Sequence, residues 1–165
     1  MIVRWSLIGF LVTAFAVLPA SVQAQSGASV QSGPLAIDGA WARATPAGAP
    51  TGAIYLRIRN RGDAPDRLLA ASTPAAGRVE LHIHVHEGNV ARMQQVPVIE
   101  VPQHGAVSLA PGGGHIMLLD PKGGLAEGAR ILLTLTFASA GTVTLEVPVL
   151  RRPPTPSHDD VHHGS

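Results

Sequence analysis

From residue 35 onward the chain is patterned for strands. Ile54, Leu56 and Ile58 alternate with Tyr55, Arg57 and Arg59, the period-two rhythm of a strand with one buried face. Ile131, Leu133, Leu135 and Phe137 share one face of a second strand, opposite Thr134 and Thr136. Val143, Leu145, Val147 and Val149 repeat the pattern, with Pro148 on the other face. A proline donates no ladder hydrogen bond, so Pro148 predicts an edge position or a strand end. Shorter candidates lie near 66–73, 78–86, 90–94, 97–101, 105–109 and 114–120, and Asn60-Arg-Gly-Asp63 reads as a turn. No stretch sustains a helical period. Many short strands separated by Gly and Pro predict an all-β domain, a sandwich or Greek-key barrel.

The two ends are different in kind. Arg4, the apolar run Leu7 to Leu18 and Val22-Gln-Ala24 form the charged, apolar and small-residue parts of a signal peptide over 1–24, cleaved after Ala24. A twelve-residue run falls short of the ~20 that span hydrocarbon. The mature protein is therefore expected to be soluble and exported, and periplasmic where the host has an outer membrane. Residues 25–35, rich in Ser, Gly and Gln, read as a flexible lead-in. The folded domain is expected over 36–150, and 151–165 as a proline-rich, His-containing disordered tail.

Charge narrows the function. The chain has 12 Lys and Arg against 11 Asp and Glu. Arg4 is the one charged residue of the first 24, so the remainder is neutral and lacks the basic stripe that nucleic acid requires. There is no cysteine. Stability must come from an apolar core, without disulfides, and a blue-copper electron-transfer site, which needs a thiolate, is excluded.

Two methionines remain beyond the signal segment, and each keeps a fixed distance from a histidine: His82, ten residues, Met93, twenty-one residues, His115, one residue, Met117. Thioether sulfur is a soft, neutral ligand that favours Cu(I), whereas imidazole suits copper and zinc alike. Two His and two Met with no thiolate point to monovalent copper. His115 and Met117 share a strand face. His82 and Met93 can be joined by a hairpin. A loop at Glu87-Gly88 makes them direct partners, whereas a loop at Gly88-Asn89 pairs Met93 with His84 and leaves His82 diagonal. We take the first register, because direct partners have Cβ atoms ~5 Å apart.

The residues around this pattern resemble those of the periplasmic copper chaperones of the PCuAC family (DUF461). The resemblance rests on Gly39-Ala-Trp-Ala-Arg-Ala-Thr45, Ile58-Arg-Asn60, Asp66-Arg-Leu68, Val79-Glu-Leu-His82 and Pro111-Gly-Gly113, and on the His-x10-Met-x21-His-x-Met signature. It covers roughly residues 36 to 150. It implies a cupredoxin-like Greek-key β-sandwich that holds one Cu(I) through His82, Met93, His115 and Met117. It also implies delivery of that copper during assembly of cytochrome c oxidase. The acceptor would be an oxidase subunit or a thioredoxin-like copper-insertion chaperone.

The other histidines are auxiliary candidates. His84 and His86 alternate with Ile83 and Val85 and share the face of His82. They are extra ligands or a polar margin to the site. Relatives often carry methionine where His86 and Ala91 stand here. His104 sits in a turn and reads as a surface residue. His158, His162 and His163, interleaved with Asp159 and Asp160, suit Cu(II) or Zn(II) better than Cu(I). An alternative is a cupin-like metal-dependent enzyme using His82, His84 and His115. The match is poor, because Pro111 to His115 is one residue short of the second cupin motif. No Ser/His/Asp or paired-carboxylate arrangement suggests catalysis, and the protein is expected to bind and transfer a metal.

Overall fold

A computed structural model of the chain describes residues 27–87 and 90–154, the side chains of His86, Glu87 and Ala91 excepted. Eleven strands follow one another: β1 (Ala28–Ser32), β2 (Leu35–Arg43), β3 (Thr51–Asn60), β4 (Asp66–Ser72), β5 (Ala76–Glu87), β6 (Val90–Val96), β7 (Ile99–Val101), β8 (Gly105–Leu109), β9 (His115–Pro121), β10 (Arg130–Phe137) and β11 (Thr142–Leu150). They are hydrogen-bonded in the order β6-β5-β9-β3-β2-β11-β10-β4-β7, with β1 on β2 and β8 on β3. The ladder folds into a cupredoxin-like β-sandwich.

The alternating apolar residues form the layer between the sheets. Ile54, Ile58, Leu133, Leu135, Val147 and Val149 are fully enclosed, and Leu56, Phe137, Val143 and Leu145 nearly so. Burying each such side chain is worth about 1.5–3 kcal/mol relative to exposure. Pro148 pairs with Arg130, one residue before the ladder of β11 passes from β10 to β2 at Val149. β11 is internal to the order, and the proline sits near its end, where its missing donor matters least. Asn60 closes the turn after β3, its side-chain oxygen accepting from Gly62 and its amide donating to the Ala64 carbonyl.

Part of the expected flexible lead-in is a strand. Residues Ala28–Ser32 form β1, folded back on β2 through the Gly33-Pro34 connection with Ser32 opposite Leu35. Gly33 takes φ 55, which a glycine adopts without strain. The pairing is supplied by β2, a partner that the polar composition of the segment does not reveal. The proposed signal peptide and the tail from 155 onward, with His158, His162 and His163, lie outside the described residues.

One irregularity matters for the site. The β2–β3 register slips between Asp38 and Trp41, where Gly39 takes φ 58. An extra residue reverses the alternation of a strand. Ile37 therefore points into the core before the bulge, Ala40 and Ala42 do so after it, and Trp41 turns to the outer face beside Tyr55.

Candidate metal site

The outer face of β6, β5 and β9 gathers the sequence-predicted ligands. His82 and His115 are direct partners across β5 and β9, with ring centroids 5.5 Å apart. Gly114 permits the approach of the two strands. A Cβ there would lie 3.1 Å from the His82 carbonyl oxygen and 2.9 Å from Leu109 Cδ2. Met117, two residues along β9, stands opposite Glu80 on β5 and Ala53 on β3. It therefore shares the face of His115.

Met93 enters from β6, and here the preferred hairpin register is corrected. His84 is the direct partner of Met93, and His82 pairs with Gln95. The hairpin turns between Glu87 and Val90, the Gly88-Asn89 alternative. Parity is unchanged, so Met93 still shares the face of His82 and lies diagonal to it. β6 is separated from β9 by β5, roughly 9–10 Å at two strand spacings. The Met93 thioether must therefore reach across β5 to meet a ligand on β9. Met93 is 51% exposed, whereas His115 is 7% exposed. The sequence-predicted set is thus buried at its β9 side and open at the β6 edge.

The two imidazoles are held differently. His82 Nε2 lies 2.9 Å from Glu80 Oε2, and Arg78 Nε donates to Glu80 Oε1 at 3.0 Å. An ionised carboxylate can only accept, so His82 Nε2 carries the proton. His82 Nδ1 is buried and has no hydrogen-bond partner. His115 presents the opposite arrangement, with Nδ1 3.4 Å from the Gly113 carbonyl and Nε2 left as its donor atom. Burial pushes the His115 pKa below the usual histidine value. The Gly113 carbonyl opposes that shift, and repulsion from His82 and His84 reinforces it. A lowered value keeps the ring neutral, the form that ligates.

A small apolar cluster backs the site. Trp41, Tyr55 and Leu150 are buried together on the outer face. The Trp41 and Tyr55 rings are 4.9 Å apart, and Tyr55 lies 6.2 Å from His115. These spacings are within the range of aromatic contact. The cluster shields the β3 side of His115 from water.

His84 is half-buried, shares the face of His82 and is the direct cross-strand partner of Met93. His86 aligns with Ala91, but its side chain lies outside the described residues. His104 is exposed and contacts Asp63, far from the site in the ladder. Glu80 and Arg78 were not singled out by the sequence reading. The signal was present, since both stand an even number of residues before His82 on a period-two strand.

The predicted donors, two imidazoles and two thioethers, would suit a soft ion. Among the described residues no group of three or more His, Cys, Asp or Glu side chains is placed to hold a metal. Two imidazoles alone make a weak site for zinc, which takes four N, S or O ligands in structural sites. The thioethers of Met93 and Met117 would complete a soft-ion set.

Comparison with known proteins agrees with this frame. The model of the LpqE-like family, described as lipoproteins, matches residues 35–149. A protein of Leifsonia xyli subsp. xyli (strain CTCB07) named as a lipoprotein, Lxx21020, is 32% identical over 133 residues, covering 80% of this chain and 77% of its own. Among solved structures, the copper-bound PCuAC domain from PmoF2 superposes with a TM-score of 0.66 at 28% identity, covering 76% of this chain and 99% of that domain. The solution structure of Cu(I)-DR1885 from Deinococcus radiodurans gives 0.59 at 30% identity, over 70% of this chain and 78% of that one. The fold is thus that of the PCuAC domains. The chain belongs to the LpqE-like family.

Proposed function

We propose that the protein is an exported copper chaperone that carries one Cu(I) on the outer face of β6, β5 and β9. His82 Nδ1, His115 Nε2, Met117 and Met93 are the ligands. The observation that carries this reading is the direct pairing of His82 with His115, with both methionines on the same sheet face, on the two strands that flank β5. The buried, unpartnered His82 Nδ1 fits a metal, since a buried acceptor without a donor is otherwise costly. The ion is cargo. The half-exposed Met93 at the sheet edge leaves a side from which an acceptor's ligands can displace it.

The structural likeness to a copper-bound and a Cu(I)-bound protein supports the choice of ion. Delivery toward cytochrome c oxidase, through an oxidase subunit or a thioredoxin-like chaperone, is the destination that the family resemblance suggests. Lipoprotein names among the relatives support export.

The test is Cu(I) titration against a chromophoric chelator, with Zn(II) as the control ion. One tight Cu(I) per chain and much weaker Zn(II) in protein truncated after Leu150 are expected. Zn(II) binding as tight as Cu(I) would overturn the assignment.

A further inference from the structure

We propose that Glu80 is a positioning residue for copper, locking the His82 ring so that Nδ1 faces the ion. This rests on the copper-site reading above and adds the group that orients one of its ligands. Both oxygens of Glu80 are engaged, Oε2 with His82 Nε2 at 2.9 Å and Oε1 with Arg78 Nε at 3.0 Å. The contact is sheltered, the His82 and Glu80 side chains being 12% and 14% exposed. Arg78 is largely in solvent and holds the carboxylate from its outer side.

Three consequences follow from this chain of contacts. The carboxylate fixes the tautomer, because it can accept only from a protonated Nε2. It fixes the ring angle, which leaves the lone pair of Nδ1 in a buried position with no protein donor. It also makes the ring a better electron donor, as a carboxylate behind a ligating histidine does in metal sites generally. His115 has no such support, since its Nδ1 meets only a neutral carbonyl at the longer distance of 3.4 Å. The two imidazoles thus approach the ion through opposite ring nitrogens, and the Arg78–Glu80–His82 relay is the rigid half of the pair. With both oxygens occupied, Glu80 is also kept from acting as a hard ligand that would favour Zn(II) or Cu(II).

The experiment combines Cu(I) competition titration with ¹⁵N NMR of the histidine rings in Ag(I)-loaded protein, Ag(I) serving as a diamagnetic soft-ion probe. It uses wild type, Glu80→Ala, Glu80→Gln and His82→Ala. Wild type should show His82 metallated at Nδ1 and protonated at Nε2. Glu80→Ala should weaken Cu(I) binding by about 10- to 100-fold and let metal occupy either nitrogen of His82. Glu80→Gln keeps an oxygen acceptor and the side-chain volume, so its loss should be smaller, with Nδ1 still preferred. His82 metallated through Nε2 in wild type would overturn the proposal. So would wild-type affinity in Glu80→Ala while His82→Ala loses it. Wild-type affinity in His82→Ala would instead overturn the copper site itself.

Discussion

Replacing Gly114 by alanine tests the link between strand packing and metal binding. The added methyl would meet the His82 carbonyl oxygen at 3.1 Å, Leu109 Cδ2 at 2.9 Å and Ile83 Cα at 3.8 Å. Ordinary carbon contacts need about 3.5–4.0 Å. Leu109 is buried and has little room to swing, and the carbonyl belongs to the backbone of β5. The strands must therefore separate by several tenths of an ångström beside the His82–His115 pair. Overpacking of this kind is worth about 1–3 kcal/mol of lost stability, read as a lower urea midpoint at unchanged m-value. Ligands held within ~0.5 Å of productive geometry are sensitive to such a shift. We expect Cu(I) affinity to fall roughly tenfold or more, ~1.4 kcal/mol per factor of ten. The control is Gly112→Ala in the preceding turn. Gly112 has φ 81, and a Cβ there would meet nothing within 4 Å. Left-handed strain of about 1–2 kcal/mol should destabilise that variant without altering copper affinity. Wild-type copper affinity in Gly114→Ala, or an equal loss in Gly112→Ala, would refute the reasoning.

Met93→Leu and Met117→Leu nearly conserve volume and should lose less than ~1.5 kcal/mol of stability while binding Cu(I) much more weakly. Early melting with intact copper affinity would make them core fillers instead. His84→Ala should weaken Cu(I) binding less than His82→Ala, measured by the same titration. The copper-free fold should weaken in acid. The depressed His115 pKa means that the unfolded chain takes up its proton first, so this share of stability is complete above about pH 6.5 and is lost as pH falls through the lower folded value. Urea midpoints of wild type and His115→Gln should converge from about pH 8 to pH 5, and a constant difference would contradict this. Asp66 follows the same sign at lower pH. Burial raises its pKa, but amides of Ser139, Arg67 and Ala140 and the Ser139 hydroxyl outweigh that and hold it below 3.8. Its oxygens accept from these amides at 2.7–2.9 Å, and Asp66→Asn should cost about 1.5–3 kcal/mol, checked by denaturation near neutral pH. Truncation after Leu150 should leave Cu(I) binding intact and reduce Cu(II) binding, read by titrating both ions.

Most of the sandwich was legible because half-buried strands announce themselves. The faces 54-56-58, 133-135-137 and 143-145-147-149 are buried as their alternation required. β1 was not legible, since Ala28–Ser32 is polar and gains its place only from pairing with β2. The four predicted ligands share one face because parity survives a two-residue change in register. The closest pairing did not follow from spacing. Direct contact belongs to His82 and His115, strands remote in sequence, and only the β5–β9 ladder brings them together. The hairpin was ambiguous because Glu87-Gly88 and Gly88-Asn89 are both acceptable turn sequences, and the structure selects the latter. Trp41 reaches the outer face through a bulge at Gly39, which simple alternation cannot foresee.

In the proposed site one Cu(I) is bound by nitrogen and thioether sulfur together on a single sheet face. Copper K-edge X-ray absorption of the Cu(I)-loaded protein tests it most directly. The expected result is a Cu(I) edge with two imidazole nitrogens and two sulfurs around the ion, and one sulfur fewer in Met117→Leu. A first shell of nitrogen and oxygen alone, unchanged in Met117→Leu, would contradict it.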